Sequence, residues 1–310
     1  LDRLNISALE LPMLSGSKAD SIFVKTLCSV ILNTTLAQPA GLTAEEADAA
    51  WKALEKARRP RLVIDAPISS VQMEYIARKK PPQMLAAIEA QVKHCAALCR
   101  DVEVSFQDAT RAESDFLCEA IRIAIANGAT SITLCDTAGV MLPDEFAAFV
   151  EGIYENVPTL KEITLGVACA DQLSMADSCA IAAVRAGARE IKAAAYRVDA
   201  VSLPNVAKVL SAKGDAFGVT CAVRTTQMKR ITDQITWMCQ TGRSKNSPFD
   251  HGVQEDDGSL YLTAHDDLPA VMKMASRLGY DLSEEDGVKV YEAFKAIADK
   301  KEKVGSKELD

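Results

Sequence analysis

The sequence predicts an α/β fold of repeated βα units, either a (β/α)8 barrel or a doubly wound sheet, followed by a helical tail. Three observations predict it. Short apolar runs alternate with longer amphipathic stretches through roughly the first 220 residues, the pattern of parallel strands joined by right-handed crossovers. A helix–Gly–strand rhythm recurs, in "AIANGATSITLCDTAGVMLPDEFAAFV" and again around Gly187 in "AIAAVRAGAREIKAAAY". Beyond about residue 220 the strand-like runs stop.

The strand-like runs are Ala8–Leu11, Ser29–Thr34, Arg61–Ala66, Val102–Phe106, Ser131–Cys135, Ile163–Ala168 and Glu190–Ala194. Seven are visible, one short of a closed barrel. Helices are expected between them, as at Pro82–Cys99 and Ser114–Ala126. Asn127–Gly128 stops a helix, a loop carries Asp136, Thr137 and Gly139, and Pro143 stands early in the next helix. In the tail, Thr226–Cys239, Leu268–Leu278 and Glu284–Lys303 read as helices, and a polar Gly-containing stretch, Gly242–Gly258, separates the first two.

With 310 residues, 48% of them hydrophobic and 25% charged, the chain can bury a large core and a smaller second one. The net charge of −8 comes without a basic block, which argues against nucleic acid or an anionic membrane as a partner. No apolar run approaches the roughly 20 residues of a membrane span, and no signal-peptide pattern opens the sequence. Nine scattered cysteines without a C-x-x-C pair point to a reduced, cytoplasmic protein. The sequence opens on Leu1 rather than Met, so further residues are expected upstream.

Four segments resemble the 2-isopropylmalate synthase and homocitrate synthase family of metal-dependent Claisen-condensing TIM barrels. "VEVSFQDATRAESDFL" (102–117) is similar to the family's strand-five segment, and "GATSITLCDTAGVMLPDEF" (128–146) to its Asp-Thr-x-Gly segment. "AIAAVRAGAREIK" (180–192) is similar to the helix and strand after its histidine pair. "LYLTAHDDLPAVMKMASRLGYDLSEEDGVKVYEAFKAIADKK" (260–301) is similar to the linker subdomains that follow its barrel. The resemblance implies a (β/α)8 TIM-like barrel over 1–220 with C-terminal helical linker subdomains over 221–310. It makes "LDRLNISALEL" the end of the first helix and the second strand, so the first strand, with its metal-ligating aspartate and catalytic arginine, is expected upstream.

The resemblance also implies an activity, condensation of acetyl-CoA with a 2-oxo acid as in leucine biosynthesis, and a divalent metal as cofactor. The family's ligand positions are changed here. A His-x-His pair on one strand face becomes Ala168, Cys169 and Ala170, with Cys169 on the opposite face as a buried thiol. Gln107 stands where the family has a glutamate, and Val63 where it has a strand histidine. Gln254 replaces a linker histidine, His251 lies three residues early, and the Asn-bearing loop after strand eight is shortened to "AYRVDAVSLPNV", in which Asn205 reads as a turn residue. Asp108 and Arg111 read as a helix cap and local ion pair. His265 precedes a helix, and His94 has no family counterpart.

What remains for substrate is Glu10, Gln107 and Thr137, with Asp136 and Gly139 keeping the loop shape. No residue is assigned a catalytic role, and no cofactor is expected. Two functions stay open: a divergent acyltransferase of the family, or a catalytically silent barrel with a binding or regulatory role. A third is a metal-free enzyme working on another substrate. A 2-oxo acid or acetyl-CoA is expected as ligand only if activity survives. A homodimer through the linker helices is expected, because Val271, Ala275 and Leu278, and Val290, Tyr291 and Phe294, form apolar stripes that need burial.

Overall fold

Along the strands, apolar and polar residues alternate, and the two sets face different surroundings. In Pro60–Pro67 the side chains of Leu62, Ile64 and Ala66 pack into the main core, while Arg61, Val63 and Asp65 point the other way. In Val102–Gln107 the core takes Val102, Val104 and Phe106, and the opposite face carries Glu103, Ser105 and Gln107. A sheet with helices on one face and polar side chains on the other is the wall of a barrel rather than of a doubly wound sheet, whose two faces are both apolar.

The computed structural model describes residues 1–196, 199–241, 261–262, 268, 271–272, 284–298 and 304–305. Seven parallel strands pair in chain order: β1 (Ala8–Glu10), β2 (Thr35–Pro39), β3 (Pro60–Pro67), β4 (Val102–Gln107), β5 (Ser131–Asp136), β6 (Thr164–Cys169) and β7 (Glu190–Ile191). The helices are α1 (Lys18–Val30), α2 (Ala44–Leu54), the short α3 (Ser70–Gln72), α4 (Pro81–Leu98), α5 (Ser114–Ala126), α6 (Pro143–Asn156), α7 (Ala176–Arg185), α8 (Leu203–Lys213) and α9 (Met228–Thr241). Among the described residues β1 and β7 are the edges of the sheet. In a flat sheet six strand spacings would part them by about 29 Å. Instead Lys192 Nζ, one residue past β7, lies 2.7 Å from Glu10 Oε2 at the end of β1. The sheet is curled, and this is an α/β fold of the (β/α)8 barrel type.

Local chemistry sets most boundaries. Ser17 caps α1 by accepting from Asp20 N, and Thr43 and Glu46 close a capping box on α2. Pro81 and Pro143 stand in the first turns of α4 and α6. The expected strand at Ser29–Thr34 is a correction: Ser29 and Val30 finish α1, and the strand follows at Thr35–Pro39. The β-branched run Val30–Ile31 resembles a strand, but Val24 and Cys28, four residues apart, bury one helical face up to that point. The real strand carries Gln38 and Pro39, residues that strands disfavour, and is buried by its position in the sheet. Glu190–Ala194 is also shorter than expected: the ladder is regular only to Ile191, with Lys192 N bonding Val167 O and Ala194 bridging Ser202.

The chain divides into two compact units, Leu1–Gly242 and Arg243–Asp310. In the second, α10 (Glu284–Ala298) lies within the expected Glu284–Lys303 helix. The expectation of helices alone is corrected by an antiparallel pair, β8 (Tyr261–Leu262) with β9 (Val304–Gly305), two residues on each side being too few to register as a run. Most of Leu268–Leu278 and all of Gly242–Gly258 lie outside the described residues. Val271 and Phe294, from the two apolar stripes, are already buried within the chain. No helix among the described residues is long and apolar enough to cross a membrane.

Candidate functional site

The polar faces of the strands converge on one cavity of about 940 Å³, which reaches Thr137 and Ala170 at the carboxyl ends of the strands and Ser7 and Arg189 at their amino ends. Glu10, Gln107 and Thr137 all line it, as do Ala168 and Ala170. The three residues expected to meet substrate are therefore brought together. Each already has a partner. Glu10 Oε2 is 2.7 Å from Lys192 Nζ. Gln107 Nε2 donates to Asp65 Oδ1 at 2.9 Å and to Ser105 Oγ at 3.1 Å. Thr137 Oγ1 accepts from Asp108 N at 2.8 Å.

Below them runs a charge network that the sequence reading missed. Glu103 is almost fully buried, with Lys192 Nζ at 2.8 Å and Thr133 Oγ1 donating at 2.7 Å to Oε1, and Arg61 Nη1 at 3.3 Å from Oε2. Arg61 also meets Glu190 at 2.6 Å and Asp101 at 3.0 Å. Burial alone would raise the Glu103 carboxyl, but Lys192, Thr133 and Arg61 outweigh it and hold it below the usual range. Burial works against the Lys192 ammonium too, and Glu103 and Glu10 more than offset it, so its pKa rises. Lys192 thus stays protonated and cannot serve as a nucleophilic amine. Asp65 moves the other way: burial raises its carboxyl, Lys192 lowers it, and Glu10 and Glu103 push it up. Cys135, beside Ser105 at 3.3 Å, is pushed up to about 12 by burial. The signal for this network lay in "RLVID", "VEVSFQ" and "EIK", where charged or polar residues fall at every second place of buried runs.

At the mouth, Asp108 is fully buried with a left-handed backbone (φ 61°). Arg111 grips it with two bonds of 2.8 Å, and Ser69 Oγ donates to it at 2.5 Å. The local ion pair expected there is present, whereas the cap is not, since the Asp108 side chain makes no capping bond. Asp136 holds the next loop: its carbonyl accepts from Gly139 N and Ala170 N, and its carboxylate from Thr110 Oγ1. Val63 is buried on the interior face, and Cys169 packs into the core behind the sheet, as its alternation predicts. Asn205 donates to Asp177 Oδ2 at the start of α8, and His94 pairs with Asp48 on the outside of the barrel. His251, Gln254 and His265 lie outside the described residues.

A divalent metal needs anionic or imidazole donors on one face. Ala168 and Ala170 offer methyl groups at that place, and an alanine methyl has no lone pair. Of the carboxylates lining the cavity, Glu10 and Glu103 are engaged with Lys192, Glu190 with Arg61 and Asp136 with Thr110 Oγ1. Among the described residues no group of three or more His, Cys, Asp and Glu is placed to hold a metal ion. The donors present do not fit the metal that the resemblance implies.

A parallel barrel with a polar interior, whose cavity takes in residues at the carboxyl ends of the strands, belongs to the class of (β/α)8 enzymes and their relatives. Within that class the chain belongs to the HMGL-like family, which matches residues 1–240. It is 29% identical, over its whole length, to 66% of the 2-isopropylmalate synthase of Aquifex aeolicus, and 27% identical to 68% of that of Pelotomaculum thermopropionicum. The chain spans about two thirds of the length of these relatives. Among solved structures it is similar to the hydroxymethylglutaryl-CoA lyase of Pseudomonas aeruginosa, with a TM-score of 0.57 at 15% identity over 72% of this chain and 76% of that one. It is also similar to the HMG-CoA lyase of Brucella melitensis, with a TM-score of 0.53 at 13% identity over 68% and 78%. At such identities the structures speak for the fold alone.

Proposed function

We propose that this chain is a member of its family that does not perform metal-dependent condensation, and that its barrel serves binding or regulation. One observation carries the reading. Where the resemblance places two imidazoles facing the cavity stand two alanines, and two of the acids lining it, Glu10 and Glu103, are paired with Lys192. An internal ammonium supplies one fixed positive charge. It offers no open coordination site and cannot polarise a ketone as a divalent ion does. The cavity keeps neutral donors and acceptors in Gln107 and Thr137, which suit a small polar ligand.

The second reading, an acyltransferase acting on acetyl-CoA and a 2-oxo acid, is favoured by the activity named for the relatives and by Glu10, Gln107 and Thr137 sharing one cavity. The unpaired state of all nine cysteines supports a reducing, cytoplasmic setting, and a homodimer is proposed on the family resemblance. The deciding experiment is elemental analysis of the purified protein, followed by thiol release from acetyl-CoA and 2-oxoisovalerate with added zinc, magnesium or manganese. The silent reading expects neither bound metal nor release. Stoichiometric metal, or turnover that a chelator abolishes, overturns it.

A further inference from the structure

At the amino ends of the strands, the segments before β1, β2 and β3 and the start of α9 line a second cavity of about 590 Å³, which shares Asn5 with the first. Four arginines line it: Arg3, Arg59, Arg224 and Arg230. The chain carries more acid than base, 43 residues against 35, yet one carboxylate alone, Asp2, faces these four cations in the lining. Asp2 is already committed. Its Oδ1 accepts from Thr34 Oγ1 at 2.7 Å and from Thr34 N at 3.0 Å, and the Thr34 hydroxyl leads the bonds that hold the carboxyl below its usual range. None of the four arginines makes an ion pair among the described residues. The guanidinium of Arg59 bonds only the carbonyl of Asn33.

The frame beneath these side chains is fixed. Arg224 N donates to Leu4 O at 2.8 Å, and Asn5 Nδ2 donates to Ala222 O at 3.0 Å. Leu4, Ala207 and Met228 form a small buried cluster that ties the chain start to α8 and α9. The backbone thus holds the four arginines around one cleft, while their exposed side chains stay free to adjust to a ligand. Like charges brought together without counter-ions repel, and a multiply charged anion relieves this. Guanidinium groups match phosphate oxygens two bonds at a time. The lining has no aromatic ring on which a base could stack, so recognition falls on the phosphates themselves.

We propose that this cleft is a binding site for a small ligand carrying a di- or triphosphate group. Its lining shares Asn5 with the first cavity but includes none of Glu10, Gln107 and Thr137, so occupancy adds stability or regulation rather than chemistry. The proposal stands whether or not the barrel is catalytically silent.

The test is calorimetric titration of the full chain with inorganic tripolyphosphate, with inorganic phosphate and sulfate at matched ionic strength, alongside a thermal melt. One saturable site is expected, with a raised melting temperature, weaker binding of the single-phosphate and sulfate controls, and affinity that falls with salt. R224Q/R230Q should weaken binding about a hundredfold or more, because each of the two lost charged hydrogen bonds is worth about tenfold in affinity. These arginines are exposed, so the variant should melt as the parent does without ligand, and R59Q alone provides a milder second test. Absence of saturable binding, equal affinity in the variants, or equal shifts from sulfate would overturn the proposal.

Discussion

Lys192 Nζ lies 2.8 Å from Glu103 Oε1 inside the barrel, joining the end of β7 to the start of the β4 interior face. The same ammonium holds Glu10 at the β1 edge. One side chain therefore ties together both edges of the sheet and its centre.

Replacing that lysine by methionine, K192M, keeps the length of the side chain and removes the charge. Glu103 would remain buried with Arg61 as its one cation. The expected loss is about 3 kcal/mol, the lower end for breaking a buried pair, because Arg61 still neutralises part of the charge. Urea denaturation of parent and variant measures it. A loss below half of this would mean that the pair contributes little to the fold.

The cost of K192M should depend on pH in a definite way. The folded pKa of Glu103 is lowered, so its stabilisation is present above its ordinary value of 4.5 and is lost as pH falls through the folded value. The folded pKa of Lys192 is raised, so its stabilisation is present below 10.5 and is lost as pH rises through the folded value. The stability gap between parent and variant should be widest between these limits and narrow beyond either. Asp65, whose pKa is raised, takes up a proton more readily when folded, and more so in the variant, which lacks the Lys192 charge that lowers it; this narrows the gap further on the acid side. Melting temperatures across the pH range check this, and a flat gap would contradict it.

Gly139 has a φ of 63°, and an added Cβ would sit 2.6 Å from Ala170 O. Gly218 has a similar φ of 66° with nothing within 4 Å. G218A should cost about 1 kcal/mol from backbone strain alone, while G139A should cost about 3 kcal/mol or more, since the loops after β5 and β6 must also part. Denaturant midpoints of the two variants give the comparison. Equal costs would show that the loop yields freely.

Thiol chemistry should separate the cysteines. Seven are buried, Cys221 is partly exposed and Cys239 is exposed. Burial pushes Cys95 and Cys135 up to about 12, far from thiolate at neutral pH. An aromatic disulfide reagent should modify at most two thiols in the native protein, Cys239 first, and all nine after denaturation. Fast modification of a third would indicate that the barrel opens locally.

Restoring imidazoles, as A168H/A170H, should create a metal site without creating turnover. Both positions line the cavity, and two histidines are the usual start of a zinc site. Zinc should then raise the melting temperature of the variant and leave the parent unchanged, since a ligand at about 100 times its dissociation constant adds about 2.7 kcal/mol. Thiol release from acetyl-CoA should stay absent. A variant that turns over would return this chain to the active members of its family.

Much of the fold was legible because it rests on local rules. The alternation in "VEVSFQ", the caps at Ser17 and Thr43, and Pro143 at a helix start are properties of neighbouring residues. Ala168 and Ala170 could be read as facing the cavity for the same reason, since strand residues two apart share a face. The strand Thr35–Pro39 was not legible, because its composition opposes a strand and its neighbours in the sheet make it one.

Local pattern was enough to read the βα order, the polar inner faces and the shared face of Ala168 and Ala170; that the family carries imidazoles there is what the resemblance implies. Which charges meet was settled by the folded barrel. Arg61 and Glu190 are 129 residues apart in the chain and 2.6 Å apart in the barrel. Pattern assigns each residue to a face, but the curl of the sheet sets which strands look at one another across the interior. That curl arises from the summed twist of all seven strands and the packing of helices behind them, which no single stretch encodes.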